Sequence, residues 1–478
     1  MAKDTLHILG ICGTFMGGLA VLARELGLAV SGSDQNVYPP MSTQLEALGI
    51  ALQSGYTPEN LPSLPADVNA ATVIVGNALS RGNAELEAVL NRRLNYVSGP
   101  EWLANAVLNQ HRVLAVAGTH GKTTTTSMLA WILQSAGLQP GFLVGGVPRN
   151  FGVSARLSPL LISATGVSAA WTARPPFVIE ADEYDTAFFD KRSKFVHYRP
   201  EVAILNNLEF DHADIFPDLA AIERQFHHFV RTVPGNGTLV VNADDAQLTR
   251  VLAMGCYSHL VQFSTRNSLA QYYAESLKPD ASHFAIFQQQ RLIGEVRWNL
   301  VGQHNLSNAL AAIAAACVFG VAADVALSAL ASFDPPKRRL EHLGDVGGVS
   351  VYDDFAHHPT AISTTLAGLR AKLGARRIHA VLEPRSNTMR LGTHTHELAP
   401  SLAAADHIWL LRRPELPWNA EAALAPLGAK AVVLASSDAI LAGLSSTLQP
   451  GDAVLFMSNG GFDAIQKRLL DQLCADNP

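Results

Sequence analysis

Residues 113–128 read VLAVAGTHGKTTTTSM, and the fold follows from how that stretch is parsed. Residues 113–117 are an apolar run of strand length. A polar turn with two glycines follows, and residues 128–133 open a helical pattern. Strand, glycine loop and helix, in that order, are the setting of a phosphate-binding loop. The glycines let backbone N–H groups turn toward phosphate oxygens, and the helix N-terminus adds the positive end of its dipole. Lys122 is placed to reach β- and γ-phosphates, and the Thr123 hydroxyl to hold Mg2+. Val116 stands where the full G-x-x-x-x-G-K-[ST] pattern has its first glycine, so the loop is the shorter G-T-x-G-K-T-T form. We read it as a nucleoside triphosphate site.

Around this loop, 478 residues suggest two to four domains at ~100–200 residues each. A hydrophobic content of 48% with 16% charged residues describes a globular chain and excludes a disordered one. The net charge of −6 argues against a nucleic-acid-coating protein. Cys12, Cys256, Cys317 and Cys474 are scattered without a C-x-x-C, so neither a disulfide framework nor a thiolate zinc site is expected. MAKDTLHILG lacks the features of a signal peptide, which suggests a cytoplasmic location. Residues 309–331 are apolar enough to raise a membrane span, but Gly320 and Asp324 interrupt them, and a buried helix pair is expected.

Upstream of the loop, a strand closes at Gly10. Gly10, Gly13, Gly17 and Gly18 precede a helical run over 19–26, and a second strand over 29–33 ends at Asp34. This is a dinucleotide-type βαβ opening with loose spacing. Downstream, strands over 177–179 and 202–205 end in acidic clusters: Glu180, Asp182, Glu183 and Asp185, then Glu209, Asp211 and His212. Carboxylates at strand C-termini, on the edge that carries the phosphate loop, are where Mg2+ ligands belong. GQHNLSN at 302–308 opens the alanine-rich helix, and its His and Asn residues suggest capping or ligand contact. FDPPKRR at 333–339 reads as a linker and hinge. Strands over 349–353, 378–382, 407–411, 431–435 and 453–457 follow, alternating with helices. The expected fold is α/β in three domains: Rossmann-like over 1–108, a central parallel ATPase-like sheet over 109–333, and Rossmann-like over 334–478.

GTHGKTTT, EADEYD, NNLEFDH, GQHNLSN, KRR and DDFAHHPT, in this order, resemble the muramyl ligase family. Its members are ATP-dependent amide-forming enzymes of peptidoglycan metabolism with three α/β domains. The opening HILGICGTFMGG…SGSD is similar to the branch that takes UDP-N-acetylmuramate. TAFFDKRSKFVHYRP, EPRSNTMR and MSNGGFDAI resemble the member that adds an intact tripeptide, L-alanyl-γ-D-glutamyl-meso-diaminopimelate, in peptidoglycan recycling. The alternatives are the member that adds L-alanine, and a nucleotide-binding switch protein without ligase activity.

The resemblance implies ATP and Mg2+ as cofactors. Gly118, Thr119, His120, Gly121, Lys122, Thr123 and Thr124 would cradle the phosphates, with Asn305 and Asn308 near the adenine and Arg339 and Asp354 completing the site. Thr123, Glu180 and His212 would hold the metal, and Lys122, His357 and His358 would face the reaction centre. Gly13, Gly17 and Asp34 would bind the UDP part, and Arg385, Asn387, Arg390, Ser458 and Asn459 the acceptor. The implied partners are small molecules, with no nucleic acid or membrane and a monomer or weak homodimer. Many family members carry a carbamylated lysine after the metal histidine. No lysine occurs here between Lys194 and Lys278, so a carboxylate such as Glu223, or water, is expected in its place.

Overall fold

Buried β-branched and aliphatic runs form three large sheets, each with polar residues or glycine at the C-terminal ends of its inner strands. A computed structural model describes residues 5–38, 41–61, 71–163 and 173–476. The first sheet is parallel: Thr5–Leu9 pairs with Ala29–Asp34 on one side and Ala71–Val75 on the other, with Ala51–Ser54 and Tyr96–Ser98 at the edges. Helix Thr14–Glu25 starts immediately after the first glycine turn, five residues earlier than its apolar pattern suggests.

The central sheet has ten strands, and Arg112–Ala117 lies between Pro176–Ala181 and Val202–Leu205, all parallel. Its inner strands are apolar on both faces because helices cover both. Helix Lys122–Ser135 packs against Gln303–Phe319, whose residues Ala309, Ala311, Ala312, Ala314, Ala315 and Ala316 are fully buried. Small side chains let this helix approach closely, which explains why it is alanine-rich. It ends at Gly320 (φ +110°), and Ala323–Ala331 follows, so the apolar stretch is a helix pair. Among the described residues, no helix is long and apolar enough to cross a membrane.

The third sheet orders Glu341–Val346, Val349–Asp354, Ala453–Met457, Ile378–Leu382, His407–Leu411 and Ala431–Leu434. The departures from the expected parallel sheets concern edges, among them Ala155–Arg156, which pairs antiparallel with Gly141–Leu143 at one edge of the central sheet. Tyr272–Ser276, His283–Gln288 and Arg291–Arg297 extend the central sheet in antiparallel fashion, and Glu341–Val346 does the same for the third. Edge strands are half solvated, so they lack the continuous apolar run that marks inner strands. Gly347 and Gly348, both at positive φ, make the turn between Glu341–Val346 and Val349–Asp354.

Candidate active site

Three neighbouring strands deliver the phosphate loop, residues 180–185 and residues 206–212 to one sheet edge. Gly118 and Gly121 have φ of +152° and +78°, and Gly121 caps helix Lys122–Ser135. A Cβ on Gly121 would overlap Asn308 Oδ1, so glycine is required for the loop to lie against helix Gln303–Phe319. Lys122 Nζ donates to Gly118 O at 2.7 Å and pairs with Glu183 Oε2 at 2.8 Å. Burial pulls this ammonium down, but Glu183, Asp182 and Glu180 outweigh it and hold it above an ordinary lysine. Thr123 Oγ1 donates to Glu180 Oε1 at 3.0 Å, and Glu180 Oε2 accepts the Gly145 N–H at 2.7 Å. Burial raises the Glu180 carboxyl against the pull of Lys122.

His212 Nε2 stands 3.1 Å from Glu183 Oε1, and ligand atoms of Asp182, Glu183 and His212 all lie within 4.8 Å of one another. Burial depresses the His212 imidazole, but Glu183 and Asp211 reverse this and raise it. Burial raises Asp182, but Lys194, Lys122 and His212 overcome it and keep it anionic. Asp182, Glu183 and His212, with Thr123 and its acceptor Glu180 lining the adjoining cavity, offer mainly oxygen donors, which suits Mg2+. Glu223 is not part of it: it sits on helix Leu219–Val230 and pairs with Arg250 at 2.6 Å. Asp182 and Glu183 occupy the place beside His212 instead.

A cavity of about 510 Å³ opens above the loop and is lined by Lys122, Thr124, Glu180, Asn305, Asn308 and, from the third sheet, Arg339 and Asp354. Asn305 is tied to Val301 O at 2.8 Å, and Asp354 accepts the Leu340 and Ala356 N–H groups at 2.6 and 2.7 Å. Glu209 bridges sheets: it accepts from Thr360 Oγ1 at 2.7 Å and lies 3.3 Å from His120 Nε2. Burial works against the charged Glu209, yet His120, Thr360 and His358 lower it to about 2. His357 Nδ1–H donates to Phe355 O at 2.8 Å, which leaves the lone pair on Nε2. Burial pushes His357 and His358 down to about 4, so both are neutral at pH 7. Of the two, His357 lines the cavity and His358 does not. His358 is buried, caps helix Pro359–Leu373 and lies 3.4 Å from Glu209.

A second cavity of about 350 Å³ shares Tyr184, Asp211, His212, His357 and Asn459 with the first and adds Tyr38, Arg385 and Asn387. Arg385 lies across Gly460, where a Cβ would strike its guanidinium. No carboxylate pairs with Arg385 among the described residues. Arg390 is exposed on the outer side of helix Asn387–Leu391 and lines neither cavity. Ser458 is fully buried and donates to Glu383 at 2.7 Å. Gly13, Gly17 and Asp34 line neither cavity. Asp34 braces the first glycine turn by accepting the Cys12 and Asn36 N–H groups, each at 2.9 Å. Tyr38 and Tyr184 are missed as cavity walls: Tyr38 is an isolated aromatic, and in EADEYD the carboxylates around Tyr184 draw the reading to metal ligands.

Three family profiles match the chain: "Mur ligase family, catalytic domain" over residues 5–111, "Mur ligase middle domain" over 116–316, and "Mur ligase, glutamate ligase domain" over 338–460. A UDP-N-acetylmuramate–L-alanyl-γ-D-glutamyl-meso-2,6-diaminoheptandioate ligase of Escherichia coli (strain K12) is 53% identical, covering 98% of both chains. The crystal structure of a murein peptide ligase from Psychrobacter arcticus 273-4 superimposes with a TM-score of 0.74 at 46% identity, covering 98% of this chain and 99% of that one. A UDP-N-acetylmuramate–L-alanine ligase of Renibacterium salmoninarum is 36% identical over 84% of this chain and 79% of its own.

Proposed function

The chain belongs to the Mur ligase family, and we propose that it is the ATP-dependent ligase joining UDP-N-acetylmuramate to L-alanyl-γ-D-glutamyl-meso-diaminopimelate, an enzyme of peptidoglycan recycling. One observation carries the choice of acceptor. The phosphate-loop cavity runs on into a polar cavity where Arg385 has no carboxylate partner among the described residues. An unpaired guanidinium beside amide side chains suits a peptide with several carboxylates, because arginine grips a carboxylate with two parallel hydrogen bonds. L-alanine, the acceptor of the 36% identical relative, needs far less room than this cavity offers. A pure switch protein has no use for a second polar cavity opening onto the phosphate site.

In this reading the lactyl carboxylate of the sugar nucleotide attacks the γ-phosphorus of ATP and expels ADP, giving an acyl phosphate. The neutral peptide amine then attacks the acyl carbon, phosphate leaves with the C–O bond electrons, and the amine gives up one proton as the amide forms. Lys122 and the loop N–H groups offset charge on the transferring oxygens. Thr123, Glu180, Asp182, Glu183 and His212 would hold Mg2+, which would supply charge neutralisation at the phosphates. His357, lining both cavities with its Nε2 lone pair free, orients the incoming amine. Arg339 and Asp354 close the nucleotide side, and exclusion of water protects the acyl phosphate. Arg385, Asn387 and Asn459 hold the peptide. ATP and the sugar nucleotide are cytoplasmic metabolites, so we read the enzyme as cytoplasmic, a monomer or weak homodimer without nucleic-acid or membrane partners. Through cell-wall supply it would bear on cell shape and division.

The test is phosphate release from ATP with UDP-N-acetylmuramate, comparing the tripeptide with L-alanine. Release that depends on the tripeptide supports the proposal. Release with L-alanine alone makes it the alanine-adding enzyme, and release with neither restores the switch protein.

A further inference from the structure

Thr388 stands on helix Asn387–Leu391, just beyond strand Ile378–Leu382 of the third sheet, whereas Asp211 and His212 follow strand Val202–Leu205 of the central sheet. The Thr388 hydroxyl meets both of them: Oγ1 donates to Asp211 Oδ1 at 2.5 Å and accepts the His212 backbone N–H at 3.0 Å. Thr388 and Asp211 are 2% and 4% exposed, so water does not substitute for these bonds. One turn position away, Asn387 Nδ2 donates to Asp214 Oδ2 at 2.9 Å.

His212 is held in an unfavourable backbone conformation. Its φ is +56°, a region that side chains with a Cβ avoid and that persists only where surrounding contacts over-determine it. Its N–H is shared between Asp211 Oδ1 at 2.7 Å and Thr388 Oγ1 at 3.0 Å. The hydroxyl therefore fixes both the N–H and the carboxylate that also holds it. That backbone sets where the imidazole lies, 3.1 Å from Glu183 and in ring contact with Tyr184.

We infer that Thr388 is a positioning residue: through Asp211 and the His212 N–H it sets the metal-binding imidazole from the opposite domain, so the cation site is complete only with the acceptor-bearing domain docked. Formation of the acyl phosphate is thereby tied to a closed site, where the acceptor waits and water is excluded. The inference rests on the ligase reading for turnover, but its metal-binding arm does not.

Only a hydroxyl both donates to a carboxylate and accepts an N–H at this position, so serine preserves the device while valine and alanine remove it. The experiment measures Mn2+ binding in the presence of saturating ADP, by loss of the free-ion EPR signal, for Thr388→Val, Thr388→Ala and Thr388→Ser. Thermal unfolding midpoints check that each variant is folded. Valine and alanine should weaken Mn2+ binding by roughly 10–100-fold, the usual effect of losing a group that orients a metal ligand. They should lower kcat while leaving the KM for UDP-N-acetylmuramate unchanged, and serine should restore both. Wild-type Mn2+ affinity in folded Thr388→Val or Thr388→Ala overturns the inference, as does failure of Thr388→Ser to recover. If no acceptor supports phosphate release, the ligase reading fails while the Mn2+ comparison still decides this one.

Discussion

Lys122 and Glu183, 61 residues apart in sequence, form an ion pair at 2.8 Å, and the same carboxylate reaches His212 at 3.1 Å. One buried carboxylate thus links the lysine of the glycine loop to the histidine we propose as a metal ligand. Lys122→Ala should remove turnover with any acceptor, a loss of roughly 10²–10³-fold or more, as for other groups that stabilise transition-state charge. Glu183→Gln should cost about 10–100-fold in kcat while sparing the acceptor KM, since it disturbs orientation on the nucleotide side alone. Phosphate release at saturating substrates measures both, and full activity in Lys122→Ala would remove the loop from the mechanism.

Arg385 lies in the second cavity with Gly460 beneath its guanidinium. Arg385→Ala should raise the tripeptide KM by roughly 10–100-fold, the value of a charge-assisted hydrogen bond, and leave the ATP KM unchanged. Gly460→Ala should shift the tripeptide KM in the same direction by displacing the guanidinium. Equal effects on both substrates would rule out an acceptor role for Arg385.

At Gly121 two constraints coincide, a φ of +78° and contact with Asn308. Gly121→Ala incurs about 1–2 kcal/mol of left-handed strain before any steric overlap. A lowered unfolding midpoint together with a raised ATP KM is the expected result. An unchanged ATP KM would mean that the loop tolerates the displacement.

His304 is half-buried near Arg339 and His120, and desolvation depresses it to about 4 from 6.5. Below pH 6.5 the unfolded chain takes up a proton at this residue that the folded protein refuses. Its contribution is therefore fully present above that pH and is lost as pH falls toward 4. Acidification from pH 7 to pH 5 should cost about 2 kcal/mol through this group. Thermal melts of the wild type and His304→Leu over that range measure it: the variant should show the shallower decline, and parallel curves would assign the loss elsewhere.

Much of the architecture was legible in the chain. Residues 113–117 and 202–205 are fully apolar, and 378–382 are apolar but for the buried His379, because the inner strands are covered on both faces; each ends in polar residues or glycine because the chain must leave the sheet there. The antiparallel edge strands His283–Gln288, Arg291–Arg297 and Glu341–Val346 were not legible, since half-solvated backbone pairs without a distinctive pattern. In the candidate site, Thr119–Thr124, Glu180, His212 and Arg385, singled out from motif and context, line the two cavities. Arg390 and Ser458 share the same segments, but only the fold sends one to the surface and the other into the core.

By itself the sequence determined the α/β alternation, the phosphate loop and the family, because local periodicity and short ordered motifs carry that information. Tertiary structure alone decided that Asp182 and Glu183 stand beside His212 while Glu223 pairs with Arg250, and that His357 reaches both cavities while His358 caps a helix. Only packing brings Thr388 to Asp211, 177 residues away. Such relations depend on how sheets dock and where side chains point, and no local stretch of chain encodes either.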